Sequence, residues 1–232
     1  MIDIRPFAGL GHADHGWLDA RHHFSFASYL DRNRMGWGRI RVWNDDAIAP
    51  HTGFSPHPHN DMEIVTFVRT GAISHEDSEG NKGRTEAGDV QVMSAGTGIV
   101  HAEYNREDIA TTLFQIWILP DRQGEKPSWG QREFPRGDRA GRWVTLASGQ
   151  PGGDDALPIR ADASVLAATL PAGQTLDYAP GAGRHQYLVA PSGSIRINGE
   201  LAHARDGIAV HGEAHLRIEA VEDSEIVMVD AL

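Results

Sequence analysis

The sequence predicts an all-β protein whose strand pattern is laid down twice. Three observations carry that expectation. The 232-residue chain has 26 Gly and 12 Pro with 40% hydrophobic residues, a composition suited to short strands joined by tight turns. No segment before Pro120 repeats its apolar residues with a period of 3.6, whereas alternation with period two recurs throughout. Beyond Pro135 a second series of strands, Gly turns and an Asn-Gly turn echoes the order of the first.

Taken in order, Gly9-Leu10-Gly11-His12 and His15-Gly16-Trp17 read as loops, and His23-Phe24-Ser25-Phe26 as a short strand. Trp37 to Trp43 alternates as a half-buried strand should, and Asn44-Asp45-Asp46 closes it with turn chemistry. Alternation continues through Ile64 to Val68 and ends at Gly71. Ile73 to Asp77 begins the next strand, Ser78 to Gly83 is a turn, and Ala87 to Ser94 is turn then strand. Thr111 to Leu119 is a buried strand. The polar stretch from Pro120 to Pro135 reads as a connection, which divides the chain into residues 1–125 and 126–232. The second series runs through Arg142–Leu146, Tyr187–Ala190, Gly193–Gly199, Asp206–Val210 and Glu225–Val229, and is read as an internal duplication with an emptied site.

Composition also excludes. With no cysteine there is no disulfide, no Fe–S cluster and no thiolate nucleophile. The net charge of -11 argues against a nucleic-acid surface, which needs a basic stripe. The N-terminus lacks the pattern of a signal peptide and no run approaches a membrane span, so a cytoplasmic protein with no membrane association is expected. Of the 13 histidines, nine lie at or before His101, which places any histidine chemistry in the first half.

Two stretches concentrate that chemistry. In His57-Pro58-His59 and His101-Ala102-Glu103 the outer residues are two apart, so on a strand each pair points to one side. A single buried histidine is more often a hydrogen-bonded core residue than a ligand, and one such pair arises easily by chance. Two pairs, each tied to a Gly-bounded strand, do not. Three imidazoles and a carboxylate facing inward would make a mononuclear metal site with open positions. Mixed nitrogen and oxygen ligation suits Fe, Mn, Co, Ni, Cu or Zn, and the lack of thiolate argues against a closed structural zinc site. Parity would aim Glu63 inward as well. The remaining histidines are read as structural or exposed, with His22 and His23 the two candidates for a place at the pocket mouth.

Several stretches resemble the pirin family within the cupin superfamily. They are His22-His23-Phe24-Ser25-Phe26-Ala27, Arg41 to Asp46, His57-Pro58-His59 with Glu63, His75-Glu76-Asp77, and the run from Gly88 to Glu103. The resemblance is dense over residues 10 to 120 and thins to a fold-level echo afterwards. It implies a bicupin of two antiparallel, jelly-roll-like β-barrel domains with metal only in the first. It puts the ligands on His57, His59, His101 and Glu103, with Glu63 an alternate ligand or a carboxylate behind them, and it favours Fe²⁺. Many cupins use a Glu in the place of Glu63, whereas pirins resemble one another in using the Glu two residues past the last His, the place of Glu103.

Within the family the chain looks most like bacterial members with quercetin 2,3-dioxygenase activity. That likeness implies a small aromatic substrate such as a flavonol, O2 as co-substrate, Glu103 as the catalytic proton acceptor, and ring opening at the C2–C3 bond with release of CO. A monomer is expected. The alternative is a non-enzymatic, metal-binding module that regulates a protein partner. A third reading, an isomerase or epimerase of a small anion, asks for Arg or Lys in the ligand stretches, and none is there.

Overall fold

Strands form wherever apolar residues alternate. The computed structural model describes residues 1–150 and 155–232 and arranges its strands in four sheets, two of seven strands and two of four. In the first half Gly11–Asp14, Leu18–His22, Ile40–Ile48, Thr111–Ile118, Glu63–Thr70 and Val90–Ser94 lie side by side in that order, with Ser128–Arg132 at the edge. A smaller sheet of Gly53–His59, Ile99–Tyr104, Ala72–Asp77 and Lys82–Glu86 packs against it, Ile73 meeting Ile48, Val68 and Leu113. Neither half closes into a continuous barrel; each is a jelly roll of a large and a small sheet.

The second half repeats this plan. Its large sheet runs Leu157–Pro158, Val144–Ser148, Ala163–Leu170, Ser224–Ala231, His185–Ser192 and Gly207–His211, and its small one Thr175–Tyr178, Leu216–Ala220, Ile195–Ile197 and Glu200–Ala202. The edge strands are exchanged. Ile2–Arg5 pairs antiparallel with Gly207–His211 and completes the second large sheet, while Ser128–Arg132, from the polar connection, pairs with Val90–Ser94 of the first.

The two large sheets share one apolar core. Trp43, Val65, Phe67, Phe114 and Ile116 of the first half meet Val165, Tyr187, Val189, Val227 and Val229 of the second. Alternation then sends the intervening residues of the first sheet to the inside of its own jelly roll. There the halves differ. The second interior is filled by Leu166, Leu188, Ile195, Ile197, Val210, Leu216, Ile218 and Met228, whereas the first holds Thr66, His75, Gln91, His101, Glu103 and Gln115. An apolar interior offers no ligands, and among the described residues every group of three converging ligand side chains lies in the first half.

Three local expectations are corrected. Asn44, Asp45 and Asp46 do not turn the chain; they lie buried within the strand Ile40–Ile48. Partners offset the cost of burying two of them: Asn44 Oδ1 lies 2.9 Å from His22 Nδ1, and Asp45 is bridged by Arg69 and, at 2.6 Å, by Arg205 of the second half. Asp46 has no such partner for Oδ1, and burial beside Asp45 and Glu103 pushes its carboxyl well up. His23–Phe26 is not a strand, because the preceding one ends at His22 and Ser25 Oγ then binds the backbone of Asp31. Gly11–Asp14, expected as loop, pairs with Leu18–His22.

Candidate metal centre

Antiparallel register brings the histidines together. Gly53–His59 pairs with Ile99–Tyr104 so that His101 lies directly across from His57, and Ile99 across from His59. Gly53–His59 is an edge strand, which accommodates Pro56 and Pro58 because an edge leaves backbone N–H groups unused. A ring nitrogen from each of His57, His59 and His101 lies within 4.8 Å of the others. His57 and His59 are half-buried at the mouth, and His101 is buried behind them.

The donor set fits a cation. His57 Nδ1 lies 2.7 Å from the carbonyl of Ser55, which as an acceptor holds the proton there and leaves Nε2 bare. His101 Nε2 is buried and has no hydrogen-bond partner, an expensive arrangement unless a ligand fills it. Burial, then the neighbouring His57, His59 and His75, push the His101 imidazole down to about 2, and burial beside His57 pushes His59 down to about 4. Both rings are therefore neutral across the physiological range, as metal ligation requires.

Glu103 stands on the same face as His101, one alternation along. With His75 and His101 it forms a second converging group, all three buried. Gln91 Nε2 donates to its Oε1 at 2.6 Å and Gln115 Nε2 to its Oε2 at 2.8 Å. Neither amide is free to turn over: Trp117 Nε1 donates to Gln115 Oε1 at 3.1 Å, and Thr85 Oγ to Gln91 Oε1 at 3.3 Å. Glu103 thus sits among fixed donors that suit an ionised carboxylate, while burial pushes its carboxyl up to about 7 in the absence of a cation.

His75 completes the wall behind His101. Its Nε2 lies 2.9 Å from Asp77 Oδ2, its Nδ1 3.4 Å from His101 Nδ1, and its ring stacks on Trp129 at 4.8 Å. Against the upward push of burial, hydrogen bonds from His75 and Asn81 hold the Asp77 carboxyl below its usual range.

Glu63 is placed elsewhere. The residue Asp61, at φ 45°, turns the chain between the two strands, so the parity of His57 and His59 does not carry through to Glu63. Its carboxylate accepts from Ser94 Oγ at 2.6 Å and from the backbone N–H of Arg160 in the second half at 3.1 Å. His22 is tied to Asn44 inside the first half, and His23 Nδ1 lies 2.9 Å from Tyr187 Oη across the junction. His185 and His211 stack on each other at 4.2 Å, and His203 and His215 are exposed. Reading spacing alone passed over Thr66, Gln91 and Gln115. The signal was there in Gln115, a lone amide in the otherwise apolar run of Leu113 to Leu119.

Fold and site together define a double jelly-roll protein of the cupin kind, with a cluster of ligand side chains in its first half. The chain belongs to the pirin family: residues 4–118 match the family model Pirin, and residues 145–231 match the quercetinase C-terminal cupin domain. It is 62% identical over 231 residues to the pirin-like protein of Caulobacter vibrioides, covering 100% of both chains. It is 40% identical over 231 residues to the quercetin 2,3-dioxygenase of Escherichia coli strain K12, covering 99% of this chain and 98% of that one. Among solved structures, the bacterial pirin YhhW from Escherichia coli in complex with nickel(II) superposes with a TM-score of 0.94 at 39% identity, covering 100% of this chain and 99% of that one.

Proposed function

We propose that this protein is a metal-dependent dioxygenase that opens a flavonol such as quercetin at its C2–C3 bond, taking up O2 and releasing CO. The observation that carries the reading is the convergence of three neutral imidazoles, one with a buried, unpartnered nitrogen, beside a carboxylate held by fixed amide donors. His57, His59, His101 and Glu103 would hold the ion, Fe²⁺ in our reading, in an arrangement whose donors also suit Mn, Co, Ni, Cu or Zn. Such an ion supplies Lewis acidity toward the flavonol 3-hydroxyl and a meeting place for an electron-rich substrate and O2.

The chain's own residues do the rest. Glu103, poised near neutrality, accepts the 3-hydroxyl proton on a carboxylate oxygen as the substrate becomes an anion. Gln91 and Gln115 keep that carboxylate in place through the transfer. Trp117 meets His59 edge-on at 4.9 Å, and Phe26 meets Trp117 at 5.4 Å, which gives an aromatic wall suited to a flat substrate. The dry interior favours charge development on the substrate over leakage of protons to water.

The test is O2 consumption with quercetin by protein reconstituted with each metal in turn, with CO measured, alongside a His59→Ala variant. The expected result is uptake that depends on the metal and is lost with the metal in the variant. Normal activity and metal content in His59→Ala would sink the assignment. Tight metal binding without O2 uptake would turn the reading toward a metal-dependent regulatory partner of another protein.

A further inference from the structure

We propose that Asp77 and His75 act as positioning residues that set the tautomer of His101 and so turn the lone pair of its Nε2 toward the metal. The inference rests on the metal-centre reading above. It begins at Asp77, whose Oδ1 accepts the backbone N–H groups of Glu79 and Asn81, both at 3.0 Å, and the side-chain amide of Asn81 at 3.2 Å. Its Oδ2 accepts from the same amide at 3.0 Å and faces His75 Nε2 at 2.9 Å. An ionised carboxylate only accepts, so the proton of a neutral His75 lies on Nε2 and its Nδ1 carries the lone pair.

That lone pair faces His101 Nδ1 at 3.4 Å. Across a contact between two imidazole nitrogens one must donate and the other accept. Since His75 Nδ1 can only accept, His101 donates from Nδ1, and its Nε2 is left bare, buried and without a protein partner. Trp129, stacked on His75 at 10° between planes, keeps the middle ring from swinging out of this line. The same geometry distinguishes the two converging groups. Both ring nitrogens of His75 are engaged, so the group of His75, His101 and Glu103 works as a hydrogen-bonded support, and the cation belongs with His57, His59 and His101. Ligating histidines generally depend on such outer partners, whose loss typically costs 10–100-fold in metal affinity.

The substitution Asp77→Asn reads the relay directly. Two backbone N–H groups require oxygen at the Oδ1 place, so the new amide nitrogen takes the Oδ2 place and donates to His75 Nε2. His75 must then carry its proton on Nδ1, and His101 on Nε2. Ring nitrogens of the metal-free, full-length protein are followed by ¹⁵N–¹H correlation, and Ni²⁺ affinity by chelator competition. His101 is expected to carry its proton on Nδ1 in the wild type and on Nε2 in Asp77→Asn, with Ni²⁺ binding weakened roughly 10–100-fold.

The variant His75→Gln keeps an oxygen acceptor for His101 Nδ1. Its affinity should stay close to that of the wild type, and adding Asp77→Asn to it should change nothing further. A role that is only structural would weaken both singly substituted proteins. A wild-type His101 protonated on Nε2, or an unchanged tautomer in Asp77→Asn, overturns the relay. Failure of the wild type to bind Ni²⁺ would instead count against the metal centre, while the tautomers of the metal-free protein still decide the relay.

Discussion

Glu103 is 1% exposed and its two oxygens receive hydrogen bonds only from amides and a hydroxyl, so its charge state is set by what else enters the cavity. Burial raises its carboxyl to about 7, above the ordinary value of 4.5. A raised carboxyl favours the folded state in its protonated form. Its contribution is complete below about pH 4.5 and is lost as pH rises toward 7, a change of about 3 kcal/mol. In metal-free protein the stability of the wild type relative to Glu103→Gln should therefore fall by about that amount between pH 4.5 and 7.5, as read by urea unfolding. A pH-independent difference would mean that Glu103 is not desolvated as described. Proximity of Glu103 to His101 follows from a two-residue spacing. The amides that orient it come from the strands Val90–Ser94 and Thr111–Ile118, and only pairing reveals them.

At the scale of the strand, the centre depends on how closely Gly53–His59 approaches Ile99–Tyr104. A Cβ at Gly53 would stand 2.2 Å from the carbonyl oxygen of Glu103 and 2.6 Å from Tyr104 Cα. Both obstacles are backbone and cannot rotate away. The register already shifts between His101 and Glu103, which lets both residues present one face while the partner strand bends. Gly53→Ala should consequently weaken metal binding at least ~10-fold, although Gly53 offers no ligand, and should lower stability by about 1–3 kcal/mol. Metal titration together with thermal unfolding checks both, and wild-type affinity in a folded Gly53→Ala protein would show that the strand has slack. The H-x-H pair was legible because period two is a local property of a strand. Glu63 was not, since a turn at Asp61 resets the parity and no composition rule marks where that happens.

The whole molecule is held by what crosses between the halves. Ile2–Arg5 and Ser128–Arg132 are exchanged edges, Asp45 binds Arg205 across the junction, and His23 packs fully buried against Trp43 and Tyr187. Burial, then the positive charge of Arg5, pushes the His23 imidazole down to about 3. A lowered histidine favours the folded state in its neutral form. The contribution is complete above about pH 6.5 and is lost as pH falls toward 3, amounting to about 3 kcal/mol by pH 4. The wild type should thus lose its stability advantage over His23→Gln by about that amount between pH 7 and pH 4. Unfolding curves at the two pH values measure it. Equal acid sensitivity in both proteins would place the titrating group elsewhere.

The sequence by itself determined the all-β class, the duplication and the identity of the histidines that converge, because turns and side-chain faces are set by neighbours in the chain. Tertiary structure decided what lies outside that range. It exchanged the edge strands and sent Asn44 to Asp46 into a buried strand, where distant partners hold two of them. It turned Glu63 toward the second half and set Asp77 and His75 behind His101. Each of these rests on contacts between residues far apart in sequence, and such contacts exist only once the sheets have paired.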